Sequence, residues 1–340
     1  MRAGCVWAIG LVSTIAAAQS FIDFNALGDQ ALGQRNYAVA ESYFQQAVEE
    51  FRKLGPAYEA HLAASLLNLA ATLCTEGRRT EGGRDYEEAL ALHRHSLGPR
   101  HIRTLVNINR LADNYMKLGE ADKAQKLYSE ALAIERELFP DDVQLAHSLG
   151  GLAAFHLSLG QAAEALPLAE EGLDVARRAA GEDSSDAAKM YACVAEIRRI
   201  LGQPVRALPL YRKARSIYEK SFGPDDLRIA PILSQEGLIL IGEGKLTLAE
   251  QALTGALRTL GSGCPACLPE IAVAENNLGV LRLRQKRYAE ADQLFSHVLS
   301  LQNQYSSRPG SEAAATLQNL EIARQKEGLA SQLPRSQALR

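Results

Sequence analysis

The sequence predicts an all-α protein built as a right-handed solenoid of about seven antiparallel helix pairs. Three observations carry that expectation: an Ala-, Leu- and Glu-rich composition, a period of 42 residues, and a glycine at the same point of most periods. Of 340 residues, 47% are apolar, 23% charged and only 6% aromatic, which favours packed helices over a β fold or a disordered chain. The formal net charge of −3 provides no electrostatic footprint for nucleic acid or an anionic membrane.

The period is read from one small residue per unit: Ala40, Gly82, Ala124, Ala165, Ala207, Ala249 and Ala291, spaced by 42, 42, 41, 42, 42 and 42. Five residues before each stands a turn position, held by Arg35, Gly77, Gly119, Gly160, Gly202, Gly244 and Lys286. Glycine suits the left-handed residue that ends many helices, because it has no Cβ to clash. The two exceptions fall in the terminal units, which are unpacked on one side.

The first helix of each unit ends at that turn. Seven residues before it stand Gly28, Ala70, Ala112, Ala153, Ala195, Gly237 and Gly279, small without exception, as a close helix crossing requires. The second helix begins after the turn. Nine residues on, it carries Phe44, Tyr86, Tyr128, Ala169, Tyr211, Leu253 or Phe295, and three further Ala47, Ala89, Ala131, Gly172, Ala214, Ala256 or Val298. These offsets share one helical face, so each pair leaves an apolar surface that only the next pair can bury. Loops such as "LGP" (Leu97 to Pro99), "FPDD" (Phe139 to Asp142) and "FGPDD" (Phe222 to Asp226) place a proline where the second helix stops.

This pattern of small residue, turn glycine, small residue, aromatic and small residue resembles the tetratricopeptide repeat over about residues 25 to 310. The 42-residue period, "ALPLYRKARSIYEKSFGPDD" and "ENNLGVLRLRQKRYAEADQLF" look like the kinesin-light-chain type, widespread in bacterial proteins. Pro167 and Pro209, near the start of second helices, match a proline of that subtype. The domain organisation expected is a signal peptide over 1–18, a repeat array over 19–310, a capping helix over 311–328 and a disordered tail over 329–340. No stretch of catalytic-domain length is left over.

The resemblance implies that first helices line a concave groove for a peptide or protein partner, in a non-catalytic interaction scaffold. Positions ten, six and three residues before the turn form an i, i+4, i+7 stripe on those helices. It runs through Leu67, Ala71, Cys74, Asn109, Asp113, Met116, Gly150, Ala154, Leu157, Ala192, Glu196, Arg199, Ser234, Leu238, Ile241, Asn276, Val280 and Leu283. The partner-binding candidates are Asn109, Asp113, Met116, Glu196, Arg199 and Asn276, with apolar neighbours as anchors. The alternative for the Leu and Ile members is packing against one another. The Lys and Asn set by which some such domains clamp a terminal carboxylate is not repeated here.

Enzyme, metal and cofactor signals are weak, so no catalytic, cofactor-binding or metal residues are expected, and no small-molecule substrate. His93, His95 and His101 lie close in sequence, but His93 and His95 do not share a helical face. His147 and His156 read as packing or surface residues, and no GxGxxG, Walker, HExxH or GxSxG motif has a suitable context.

The single CxxC, Cys264 and Cys267, falls in the loop between the sixth and seventh pairs. A local disulfide, free thiols, and a redox or metal role are the three readings. The first is favoured: no βαβ unit presents the pair, and no further ligands complete a zinc site. A thiol-disulfide oxidoreductase is the corresponding alternative function. Cys74 and Cys193 read as unpaired small apolar residues.

The leader "MRAGCVWAIGLVSTIAAA" has Arg2, an apolar run and Ala16-x-Ala18, the pattern of a secretory signal peptide cleaved near Ala18. Its removal takes the net charge from −3 to −4 and leaves four cysteines. A periplasmic or secreted protein is expected, or a membrane-tethered adaptor if the segment is retained.

Overall fold

The computed structural model describes residues 24–34, 36–261, 267–305 and 311–328. The expected signal peptide, Arg35, Cys264 and the tail over 329–340 lie outside them. Among the described residues there are fifteen helices and no strand. They pair in order: α1 (24–33) with α2 (Tyr37–Leu54), α3 (Glu59–Thr75) with α4 (Arg79–Ser96), α5 (Ile102–Lys117) with α6 (Ala121–Leu138), and α7 (Val143–Ser158) with α8 (Ala162–Ala180). Then come α9 (Ser185–Ile200) with α10 (Pro204–Phe222), α11 (Ile229–Gly242) with α12 (Leu246–Leu260), and α13 (Leu268–Arg284) with α14 (Tyr288–Tyr305), followed by a lone α15 (Ser311–Glu327). The chain divides into two compact units, Met1–Val175 and Ala176–Arg340.

The six pairs from α3–α4 to α13–α14 close in the same way. Gly77, Gly119, Gly160, Gly202 and Gly244 take left-handed φ values between 71° and 87°, and Lys286 takes 61° at the equivalent place. The next amide then reaches back to the helix just ended, as in Arg78 N to Leu73 O at 2.9 Å, Gln203 N to Arg198 O at 2.8 Å and Arg287 N to Arg282 O at 2.9 Å. That backward bond satisfies carbonyls the helix would otherwise leave open.

The small residues before the turn let the second helix come close. A Cβ on Gly237 would lie 2.6 Å from Leu253 Cγ, and one on Gly279 would lie 2.6 Å from Phe295 Cε1. Phe44, Tyr128 and Phe295 are sealed by these crossings, each contributing about 2–3 kcal/mol of burial.

The loops between pairs have a further role. His101, Asp142 and Ser184 are N-caps of α5, α7 and α9, accepting from Arg103 N at 3.2 Å, Gln144 N at 2.9 Å and Ala187 N at 3.1 Å. The acidic and His residues after the loop prolines are therefore there to start the next helix. Pro167 and Pro209 lie inside α8 and α10, further in than the first turn expected for them; Pro204 is the proline at a helix start. Helix α15 lays Leu320 and Ala323 against Ala291 and Phe295.

Candidate partner-binding face

In each unit one couple of successive first helices touches directly, α5 with α7 in the first and α11 with α13 in the second, so the exposed sides of each couple lie side by side. The stripe lies along the first helices. Leu67, Ala71, Cys74, Met116, Leu157, Val280 and Leu283 are half-buried, and Asp113 and Ala154 are exposed. Ser234 and Ile241 are buried.

Of the six candidates, Asn109 does not face outward. It is 5% exposed, donates from Nδ2 to Glu135 Oε1 at 3.2 Å, and accepts from Ser148 Oγ at 2.9 Å. Both ends of its amide are consumed in the interior, so it ties α5 to α6 and α7 and offers nothing to a partner. Its partner Glu135 is fully buried, and burial pushes its carboxyl pKa up. Oε2 has no hydrogen-bond partner. The register gave little sign of this network, because the position of Glu135 holds Phe51, His93, Ala176, Tyr218, Leu260 and Gln302 in sister repeats.

Asp113 accepts the Tyr128 hydroxyl. Glu196 does the same for Tyr211, whose hydroxyl stands 2.5 Å from Oε2, and it also holds Arg199 through Nη2 at 2.6 Å and Nε at 2.9 Å. Burial opposes the charge on Glu196, but the hydrogen bonds from Arg199 and Tyr211 outweigh it and bring the pKa below the usual carboxylate value. Burial, followed by the adjacent carboxylate, raises the pKa of Tyr128 and Tyr211. The correspondence is not general, since Phe44 stands in register with Asp29 and Tyr86 with Ala71. Asp113 and Glu196 are each held by the tyrosine filler of their own repeat. Met116 packs beside Ala112 and Tyr128, and Asn276 has a shielded Oδ1 with no hydrogen-bond partner among the described residues.

The second helices carry a different pattern. Arg52 reaches Glu88 at 2.7 Å, Arg94 reaches Glu130 at 2.6 Å, and Arg136 reaches Glu171 at 2.8 Å, each bridging one repeat to the next. In the other unit Lys213 occupies the acidic position and pairs with Asp183 at 2.5 Å. Exposed pairs of this kind contribute about 0–1 kcal/mol each.

His93 is buried, His95 pairs with Glu59 at 2.6 Å and His101 caps α5, so the three histidines have separate surroundings. Among the described residues no group of three or more His, Cys, Asp or Glu is placed to hold a metal, and no helix is long and apolar enough to cross a membrane. Cys267 is the N-cap residue of α13, where sister loops place His101, Asp142 and Ser184, and it makes no capping hydrogen bond. It is buried and disulfide-bonded; the other half of that bond lies outside the described residues. Cys74 and Cys193 are free, and burial raises both thiols, Cys193 to about 11.

The tetratricopeptide repeat family profile matches residues 62–103, 105–178 and 186–260. The chain belongs to the tetratricopeptide repeat family. Solved structures of similar fold include BtubC (BKLC) from P. vanneervenii, at 21% identity and a TM-score of 0.51 over 69% of this chain and 94% of that one. A Rap protein complexed with competence and sporulation factor aligns at 14% identity and a TM-score of 0.65, over 93% of this tetratricopeptide repeat protein and 88% of its own length. The Rap conjugation gene regulator of plasmid pLS20, in complex with the Phr* peptide, aligns at 13% identity and a TM-score of 0.56 over 93% and 76%. Comparison with curated proteins gives no match.

Proposed function

We propose that the protein is an exported, non-catalytic scaffold that holds a peptide segment of a partner protein on its first-helix face. The observation that carries this is the state of the stripe. In the first unit Leu67, Met116 and Leu157 are half-buried rather than sealed, and among them stands the exposed Asp113. A partner segment would set apolar side chains on the former and hydrogen bonds on the latter. The Rap structures in complex with competence and sporulation factor and with the Phr* peptide support this reading at the level of the fold. Export rests on the leader sequence, and a mature N-terminus at Gln19 is its direct test.

The binding test is capture with residues 19–340 as bait, identification of the partner by mass spectrometry, and titration against a variant of the stripe. Charge reversal at Arg199 would also break its pair with Glu196, mixing binding with stability. Ala154 is exposed on the same stripe. Ala154→Glu should weaken the captured partner at least tenfold with an unchanged melting temperature. An unchanged Kd would remove the first-helix face from the interaction.

A further inference from the structure

Two charged residues stand where every other repeat has an aliphatic side chain. Thirteen residues after the turn, second helices carry Val48, Leu90, Leu132, Leu173, Arg215, Leu257 and Leu299. Eight residues before it, first helices carry Leu27, Leu69, Leu111, Leu152, Val194, Glu236 and Leu278. The two exceptions, on α10 and α11, meet each other: Arg215 Nε lies 3.5 Å from Glu236 Oε1. Glu236 is 3% exposed, and neither atom makes a hydrogen bond although both are shielded from solvent. Arg215 itself is half-buried and its Nε also stands 3.7 Å from Glu219 Oε1; a buried carboxylate paired this loosely is a poor exchange for a well-packed leucine if stability is its only role.

Two further departures face the same place from α12. Eight residues after the turn, Ala252 replaces the larger Tyr43, Asp85, Leu127, Leu168, Leu210 and Leu294 of the sister repeats. Three residues on, Gly255 replaces Gln46, Glu88, Glu130, Glu171, Lys213 and His297. The space left is a cavity of about 400 Å³ between α10, α11 and α12, lined by all four residues. Arg212 and Arg258 also line it, and Ile229, Leu233 and Leu248 form its apolar wall.

We infer that this cavity is a small-molecule site that takes an apolar α-amino acid. Glu236 Oε1 would accept from the ammonium, and Arg215, with Arg212 or Arg258, would hold the carboxylate. Ile229, Leu233 and Leu248 would cover the side chain. The lining carries both signs, guanidinium groups of Arg212, Arg215 and Arg258 and carboxylates of Glu219 and Glu236, as a zwitterion requires. The volume lies within the range of small-ligand pockets, about 300–1,000 Å³. The site is separate from the first-helix stripe and does not depend on the scaffold reading.

The test is calorimetric titration of the full chain with L-leucine, L-isoleucine, L-methionine and L-phenylalanine. Saturable binding of at least one is expected, weakened more than tenfold when the carboxylate is replaced by an amide or the ammonium is removed. Arg215→Leu together with Glu236→Leu restores the residues of the sister repeats, and should abolish binding while keeping or raising the melting temperature. Gly255→Glu refills the space from α12, where an added Cβ meets only Leu233 Cδ1 at 3.4 Å, and should also abolish binding. No heat with any of the four amino acids, or binding undiminished in both variants, would overturn the assignment. Equal affinity for leucine, its amide and 4-methylpentanoate would overturn the roles given to Glu236 and the arginines.

Discussion

The hydroxyl of Tyr211 lies 2.5 Å from Glu196 Oε2, so the residue that fills the gap between α9 and α10 also fixes the acidic group of the stripe. One side chain therefore serves packing and the face at once. Its polar end is testable apart from its ring.

Tyr211→Phe keeps the ring and removes the donor, and should cost about 1–2 kcal/mol in urea unfolding at pH 7. The folded pKa of Glu196 is depressed below its ordinary 4.5. The carboxylate's contribution is therefore complete above that value and is lost as pH falls through the lower folded value. The difference between the two proteins should shrink in the same acidic window. A variant as stable as the wild type at pH 7 would show the hydroxyl to be dispensable.

Glu135 gives the opposite sign. Burial, aided by Asp142, raises its folded pKa above 4.5 against the lowering effect of the neighbouring Ser148 hydroxyl and Asn109 amide. The native state then holds the proton more firmly, and stability falls as pH rises through the window between the two values. Glu135→Gln removes the charge and should stabilise the protein by about 1 kcal/mol at pH 8, the order of one buried polar mismatch. The gain should vanish near pH 4.5, as read by thermal melts across the range.

Lys286 is the one non-glycine with positive φ among the described residues, at 61°. A left-handed conformation costs an L residue about 1–2 kcal/mol. Lys286→Gly should recover about 1 kcal/mol of that, and Gly119→Ala should lose a similar amount because Gly119 sits at φ 77°. Chemical denaturation of the two single variants would show the opposite shifts, and shifts of the same sign would contradict the shared role of the turn.

The intact mass of chain purified without reductant should rise by about two daltons on reduction, from one disulfide between Cys264 and Cys267. An unchanged mass would remove the pairing. Insulin reduction tests the thiol-disulfide oxidoreductase alternative directly. Insulin reduction abolished by Cys264→Ser would make it an enzyme.

The fold was legible because the same few contacts recur. Gly237 beside Leu253 and Gly279 beside Phe295 repeat one steric requirement, so their spacing alone set the helix pairs. The face was less legible, because periodicity gives a residue's direction but not its partner. Asn109 stands at a stripe position, yet Glu135 and Ser148 lie within reach and draw it inward. The role of Asp113 and Glu196 needed the tyrosines from the following helix. The loop residues His101 and Asp142 were visible as a pattern, and only the backbone geometry made them caps.

The pairs Arg52–Glu88, Arg94–Glu130 and Arg136–Glu171 make each second helix a giver on one edge and a receiver on the other. The arginines recur every 42 residues. Excising one period, residues 77–118, would bring Arg52 opposite Glu130 with the same chemistry, and duplicating it would add a matched rung. This ladder of rungs is thus open to whole-repeat duplication and loss, whereas the Arg78–Glu41 and His95–Glu59 pairs belong to their own junction and would be lost with residues 77–118.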